Sequence, residues 1–145
     1  MSLGHRSNAR KTPYNGRVYD SMLEASVARD LDILLKCRRI KRVDPQVGFD
    51  LFGKGGTKIF RHIVDFIVTC NDDTLKAVEA KGEETDIWKA KMKLFKDNHP
   101  EIEYIVVKRE NVGYGKLIDL PAHARPLTPD TYANDVANVT QHLTK

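Results

Sequence analysis

The sequence predicts an α/β fold in the order helix, three strands, helix, strand, followed by a C-terminal extension. Three observations carry this. The chain has 145 residues, one domain at roughly 150 residues per domain. Apolar residues recur at helical spacing in two internal segments, and four short runs bounded by turn residues read as strands. The 41% apolar and 30% charged composition is that of a globular chain, and no apolar run approaches the ~18 residues of a membrane span. Cys37 and Cys70 are far apart and outside any CxxC pair, and the five histidines lack zinc spacing, so no zinc ribbon or disulfide framework is supported. That cysteine usage suits a reducing compartment, taken as the cytoplasm.

Residues 1–18 read as a flexible basic tail, whose opening "MSLGHRSNARK" lacks the apolar core of a signal peptide. The first helix runs from Asp20 to about Cys37, with Leu23, Val27, Leu31 and Leu34 on one face. Ser21 and Glu24 have capping-box spacing, which starts the helix near Ser21. After Asp44-Pro45, Val47, Phe49 and Leu51 alternate as a strand. Gly53-Lys54-Gly55-Gly56 is a hairpin loop, because it fails the phosphate-loop pattern and no helix follows. The second strand, about residues 58–69, contains the run "HIVDFIV", apolar on both faces except for the one carboxylate of Asp65, and reads as central. Asn71-Asp72-Asp73 turns the chain into the third strand, "TLKAVEAK".

A second helix starts at Thr85 or Asp86 and ends before His99-Pro100. Its expected inner face is Ile87, Trp88, Lys91, Met92, Leu94 and Phe95, with Lys89, Lys93 and Lys96 as an outer basic stripe. "EYIVV" at residues 103–107 is the fourth strand and closes a core of residues 19–107. Residues 108–145 form the extension. In it, Thr128-Pro129-Asp130 opens a final amphipathic helix through Leu143, a candidate partner surface.

Charge is uneven: residues 1–44 carry ten basic and five acidic side chains, a net +5 against +4 for the whole chain. The cluster Lys36, Arg38, Arg39, Lys41 and Arg42 is open between two readings. It either meets nucleic-acid phosphates or is a solvated helix end whose cations complement the dipole.

The chemistry concentrates at Asp65 and Glu79. Each lies seven residues from Asp72, so a symmetric hairpin sets them opposite each other, with Cβ atoms about 5 Å apart. Facing carboxylates in an apolar sheet repel unless they are paired or bind metal. Lys81 returns to the face of Glu79 through the two-residue strand period. Oxygen ligands of this kind suit Mg²⁺ or Mn²⁺ better than Zn²⁺.

Glu24 on the first helix, Asp65 on the second strand and "VEAKG" on the third, in that element order, resemble the PD-(D/E)XK nuclease superfamily over residues 19–107. Val64 stands where the family name has proline. Within the superfamily, the layout is similar to phage endonuclease I, a Holliday-junction resolvase, and to a phage family of unknown function. It also shares the general pattern of the TnsA transposition endonuclease subunit.

The resemblance implies a restriction-endonuclease-like αβββαβ core with a mixed central sheet flanked by helices. It implies a Mg²⁺-dependent DNA endonuclease, with Mn²⁺ substituting, acting in the host cytoplasm if phage-encoded. Asp65 and Glu79 would be metal ligands, with the Ala80 carbonyl a third. Lys81 would position or help deprotonate the attacking water, and Glu24 would hold a second metal or its waters. DNA is the implied partner, contacted by the first basic cluster and by Lys89, Lys93 and Lys96.

Junction resolution needs two symmetric cuts, which predicts a homodimer. The final helix or the basic N-terminal segment is its candidate contact, although that helix could equally cover the sheet. The alternatives are a nuclease subunit that acts on duplex DNA with a partner, and a catalytically silent nucleic-acid-binding module. Simpler roles also exist for single residues: Glu24 as a helix cap, Asp65 in a salt bridge with Arg61 or His62, Lys81 as a strand-end lysine, Gln46 as a turn residue, and Trp88 and Phe95 as core. Glu84 is a minor site candidate.

Overall fold

A computed structural model describes residues 11–109 of the chain. It begins with a small hairpin, β1 (Thr12–Tyr14) and β2 (Arg17–Tyr19). Asn15 and Gly16 between them both have positive φ, 51° and 78°, the geometry that Asn-Gly adopts in a tight hairpin turn. Residues 12–18 are therefore not a flexible tail, which corrects the boundary expected at residue 19. The hairpin is tied to the domain by the Tyr14 hydroxyl, which donates to Asp32 Oδ2 at 3.1 Å, and by Tyr19, buried beside Phe66. Residues 1–10 of the expected tail lie outside the described residues, as do residues 110–145 of the expected extension with its final helix.

Helix α1 (Met22–Lys36) starts where the Ser21 hydroxyl accepts the Glu24 N–H at 3.0 Å. Its Val27, Ala28, Leu31 and Leu34 pack on one face of a four-stranded sheet made of β3 (Arg42–Phe52), β4 (Lys58–Thr69), β5 (Leu75–Ala80) and β6 (Glu103–Val107), in spatial order β3-β4-β5-β6. The first three strands are antiparallel and β6 is parallel to β5. That parallel pairing needs a crossover, which α2 (Asp86–Asn98) supplies. The opposite sheet face packs against α2 through Leu51, Val64, Ile67, Ala77 and Phe95. The sequence from α1 to β6 is thus an α/β domain with a mixed sheet and a helix on each face, in the expected αβββαβ order.

Two local differences have physical causes. Strand β3 begins at Arg42, earlier than expected, and runs through Pro45. This is tolerated because β3 is an edge strand and one side of it needs no ladder donor. On α2, Ile87 is 63% exposed rather than turned inward, and only Trp88 and Phe95 are buried. Among the described residues no helix is long and apolar enough to cross a membrane.

The ribbon β3/β4 also turns over. Val64 packs in the cluster on the α2 side, whereas Phe66 and Val68 pack in the cluster on the α1 side. Residues two apart in a regular strand share a face, so the change of side falls at Asp65. Gln46, between Pro45 and Val47 whose partners are Phe66 and Val64, has a φ of +53°. A non-glycine residue in that region is a strained position of the kind that collects at functional sites.

Candidate functional site

The last ladder pair of β4 and β5 before the strands part is Phe66 with Val78, so Asp65 stands opposite Glu79 one step further on. Side chains replace the backbone ladder there. The Ala80 N–H donates to Asp65 Oδ2 at 2.9 Å, and the Asp65 N–H donates to Glu79 Oε1 at 3.2 Å. The two carboxyl groups thereby seal a fork in the sheet. Burial, reinforced by the facing Asp65 charge, pushes Glu79 up to about 8. Burial also raises Asp65, against the Ala80 N–H and the positive charge of Lys81, which lower it.

Glu24 reaches the same fork from α1. Its Oε1 accepts the Gln46 side-chain amide at 2.8 Å, and Gln46 also lies near enough to Asp65 to hold its carboxyl down. The turned-over backbone at Gln46 thus places one amide between two carboxyl groups. Burial, then the negative charges of Asp65 and Asp20, push Glu24 up to about 7. Its carboxylate also accepts the Asp20 backbone N–H. The capping box is therefore formed from the Ser21 side, while the Glu24 carboxylate is turned to Asp20 and to the fork.

Lys81 continues β5. Its N–H donates to the Val107 carbonyl at 2.9 Å, and its ammonium lies 5.4 Å from the centre of the Trp88 ring. Its charge acts on both Asp65 and Glu79. The alternative salt bridge of Asp65 does not form: Arg61 pairs with Asp50 at 3.1 Å, and burial pushes His62 down to about 4, leaving it neutral at pH 7. Glu84 is engaged by Lys108 at 2.7 Å, which holds its carboxyl below the usual range.

Sequence reasoning left Tyr104 out of the site, named His62 only as a salt-bridge partner of Asp65, and favoured a core role for Trp88 over base stacking. His62 Nε2 lies 2.8 Å from the Tyr104 hydroxyl and 3.8 Å from Glu79 Oε1. Tyr104 is pushed far up by burial and by the charges of Glu79 and Asp65. The Trp88 indole N–H approaches both Glu79 and the Tyr104 hydroxyl. Yet this nitrogen is buried without a hydrogen bond of normal geometry. The only signal in the sequence was an aromatic residue or His on strands facing the same helix.

The cations divide. Lys36 pairs with Asp32 at 2.9 Å, Lys41 with Asp73 at 2.6 Å and Arg42 with Asp44 at 2.9 Å. Lys36, Arg38 and Arg39 gather at the C-terminal end of α1, with Lys36 roughly 18 Å along the helix axis from Glu24 at 1.5 Å per residue, and Lys41 and Arg42 lead from there into β3. The structure does not bring them to the fork. Lys89, Lys93 and Lys96 are exposed on α2, whose first residue follows Lys81 by five positions.

Among the described residues no group of three or more His, Cys, Asp and Glu side chains converges as a cation cage. Mg²⁺ asks for less, because one or two carboxylates suffice when water and phosphate oxygens complete its shell. Asp65 and Glu79, both buried enough to resist ionisation and held face to face, are the donor chemistry that a divalent cation satisfies. The set fits Mg²⁺ or Mn²⁺ in that sense, with the Ala80 peptide beside the pair and Glu24 linked through Gln46.

The family model described as a protein of unknown function (DUF1064) matches residues 4–112. The chain belongs to that family. No curated protein and no solved structure matches it significantly.

Proposed function

We propose that this protein is a Mg²⁺-dependent DNA endonuclease of the PD-(D/E)XK type. One observation carries the reading: Asp65 and Glu79 face each other in a buried fork, each bonded to the other strand's backbone, with Lys81 and Glu24 bordering the same point. A structural role alone gives no reason to hold three carboxyl groups where Asp65 raises the pKa of both Glu24 and Glu79. Such strongly perturbed clusters mark functional sites.

Asp65 and Glu79 would hold the cation, which on binding lowers the pKa of a ligated water and offsets charge on the phosphate. Lys81 lies where its ammonium orients the water and stabilises the charge that develops on the phosphate oxygens. The water gives up a proton to solvent as its oxygen bonds to phosphorus, the bond to the leaving sugar oxygen breaks, and the displaced oxygen takes a proton from solvent. Glu24, pushed up to about 7 and bonded to Gln46, would hold a further water or a second cation.

The substrate we favour is a branched DNA of the Holliday-junction type, cut by a homodimer in the cytoplasm of a phage-infected host. Partnership with a second subunit on duplex DNA is the alternative. Incubation with supercoiled plasmid, linear duplex and a four-way junction, each with Mg²⁺ and with EDTA, tests the reading. Cleavage that needs Mg²⁺ and favours the junction supports it. Cleavage of plasmid and duplex alone removes the junction preference, and no cleavage of any substrate in Mg²⁺ or Mn²⁺ removes the nuclease.

A further inference from the structure

The most unusual group near the fork is not a carboxylate but an indole. Trp88 is 6% exposed, and its Nε1 is one of few buried polar atoms among the described residues with no hydrogen-bond partner. Leaving a buried donor unmade costs roughly 1–3 kcal/mol, so its placement calls for a reason. The N–H is not remote from acceptors, for it lies near enough to Glu79 and to the Tyr104 hydroxyl to lower the pKa of both. Beneath Glu79, the Tyr104 hydroxyl is joined to His62 Nε2 at 2.8 Å, and that nitrogen is itself 3.8 Å from Glu79 Oε1. His62 is 4% exposed. Three residues from β4, α2 and β6 thus enclose one carboxyl group.

We propose that Trp88 and the Tyr104–His62 pair are positioning residues that hold the Glu79 carboxylate in the orientation that receives the divalent cation. The inference deepens the nuclease reading and rests on it. Protein groups behind a metal ligand fix its orientation and tune its basicity. Here the groups behind Glu79 are donors, and a donor favours the charged carboxylate that a cation requires. The indole hydrogen bond is left open while Glu79 leans toward the Asp65 N–H, and it closes when the carboxylate turns to the cation. Trp88 also lies under the Lys81 ammonium, so one ring spans the ligand and the cationic group.

The test is Mn²⁺ binding by titration calorimetry on the full chain and on the Trp88→Phe and Tyr104→Phe variants, with thermal melts as the check on folding. Phe keeps the ring and removes only the N–H or the hydroxyl. Because Trp88 is the sole tryptophan, quenching of its emission by Mn²⁺ gives a second readout in wild type and in Tyr104→Phe.

The expected result is a loss of Mn²⁺ affinity of about tenfold or more in each variant, the usual consequence of removing such a group, with melting temperatures close to wild type. Should Trp88→Phe not fold, Tyr104→Phe decides alone. Folded variants that bind Mn²⁺ as tightly as wild type overturn the inference and leave the nuclease standing. A wild-type protein that takes up no Mn²⁺ overturns the nuclease reading and this inference with it.

Discussion

Replacing Glu79 by Gln separates the account from its competitors, because it should stabilise the metal-free protein while destroying the site. In the fold this carboxyl is pushed from 4.5 up to about 8, so at pH 7 it is held protonated whereas the unfolded chain releases the proton. At about 1.36 kcal/mol per pH unit, the 2.5 units between 4.5 and 7 cost the folded state about 3 kcal/mol. Gln carries no such cost, and its carbonyl still accepts the Asp65 N–H.

For a chain of this size, where 1 kcal/mol moves the midpoint by roughly 2–4 °C, the variant should melt roughly 6–12 °C higher at pH 7 without metal. The sign follows from linkage: with its pKa raised in the fold, Glu79 contributes stability fully present below about 4.5 and lost as pH rises through about 8. His62, pushed down to about 4, acts oppositely between 4 and 6.5, so the decline is unopposed by it from about pH 6.5 to 8, with Glu24, pushed up to about 7, adding to the decline up to about pH 7. Saturating Mn²⁺ should reverse the ranking, since a ligand at a thousand times its Kd adds about 4.1 kcal/mol to the protein that binds it. Differential scanning calorimetry at pH 5.5, 7 and 8, with and without Mn²⁺, reads all of this. A Glu79→Gln protein that melts at or below wild type at pH 7 in EDTA, or that Mn²⁺ stabilises as much as wild type, refutes the reasoning.

The remaining predictions concern the neighbours of Glu79. Lys81→Ala should lower turnover at least a hundredfold while leaving the Mn²⁺ Kd within about threefold, because the ammonium acts on water and phosphate; single-turnover kinetics beside calorimetry show whether the two separate, and an equal loss of both contradicts the assigned role. Glu24→Gln keeps the Ser21 cap and a bond to Gln46, so the melting temperature at pH 7 should not fall, while cleavage should drop at least tenfold; full activity would leave Glu24 a helix residue only. DNA affinity should fall steeply with salt, and Lys89, Lys93 and Lys96 changed together to Gln should reduce the log-log slope by up to about 0.9 per lost phosphate contact. The same change at Lys36, Lys41 and Arg42, already paired with Asp32, Asp73 and Asp44, should alter the slope less, and the opposite ranking in fluorescence anisotropy would move the interface to the far end of α1.

What was legible in the sequence depended on short-range geometry. Asp65 and Glu79 could be set opposite each other because Asp72 centres a tight turn and a hairpin's register follows from its turn. Periodicity likewise placed α1, β4 and the buried Trp88 and Phe95. Gln46 was not legible as a bridge, because its position depends on the β3/β4 ribbon turning over, a packing decision shared by both helices. His62, Trp88 and Tyr104 come from three elements well apart in the chain, and no local pattern brings them to one carboxyl group. The β1/β2 hairpin carried a clear signal in Asn15-Gly16, overlooked because its three-residue strands lack alternation and stand amid basic residues. Ile87 was read inward from its spacing alone, whereas α2 buries only a narrow stripe.

The central claim is that Asp65 and Glu79 form a cation site that cuts DNA, and the most direct measurement compares wild type with Asp65→Asn on supercoiled plasmid. Both proteins should show the same far-ultraviolet circular dichroism, so that folding is not the variable. In Mg²⁺, wild type should convert the supercoiled form to nicked and linear products, EDTA should stop it, and Asp65→Asn should leave the plasmid intact at the same concentration and time. If Asp65→Asn cuts at the wild-type rate in Mg²⁺, or wild type cuts equally well in EDTA, the site assigned here is not where the chemistry occurs.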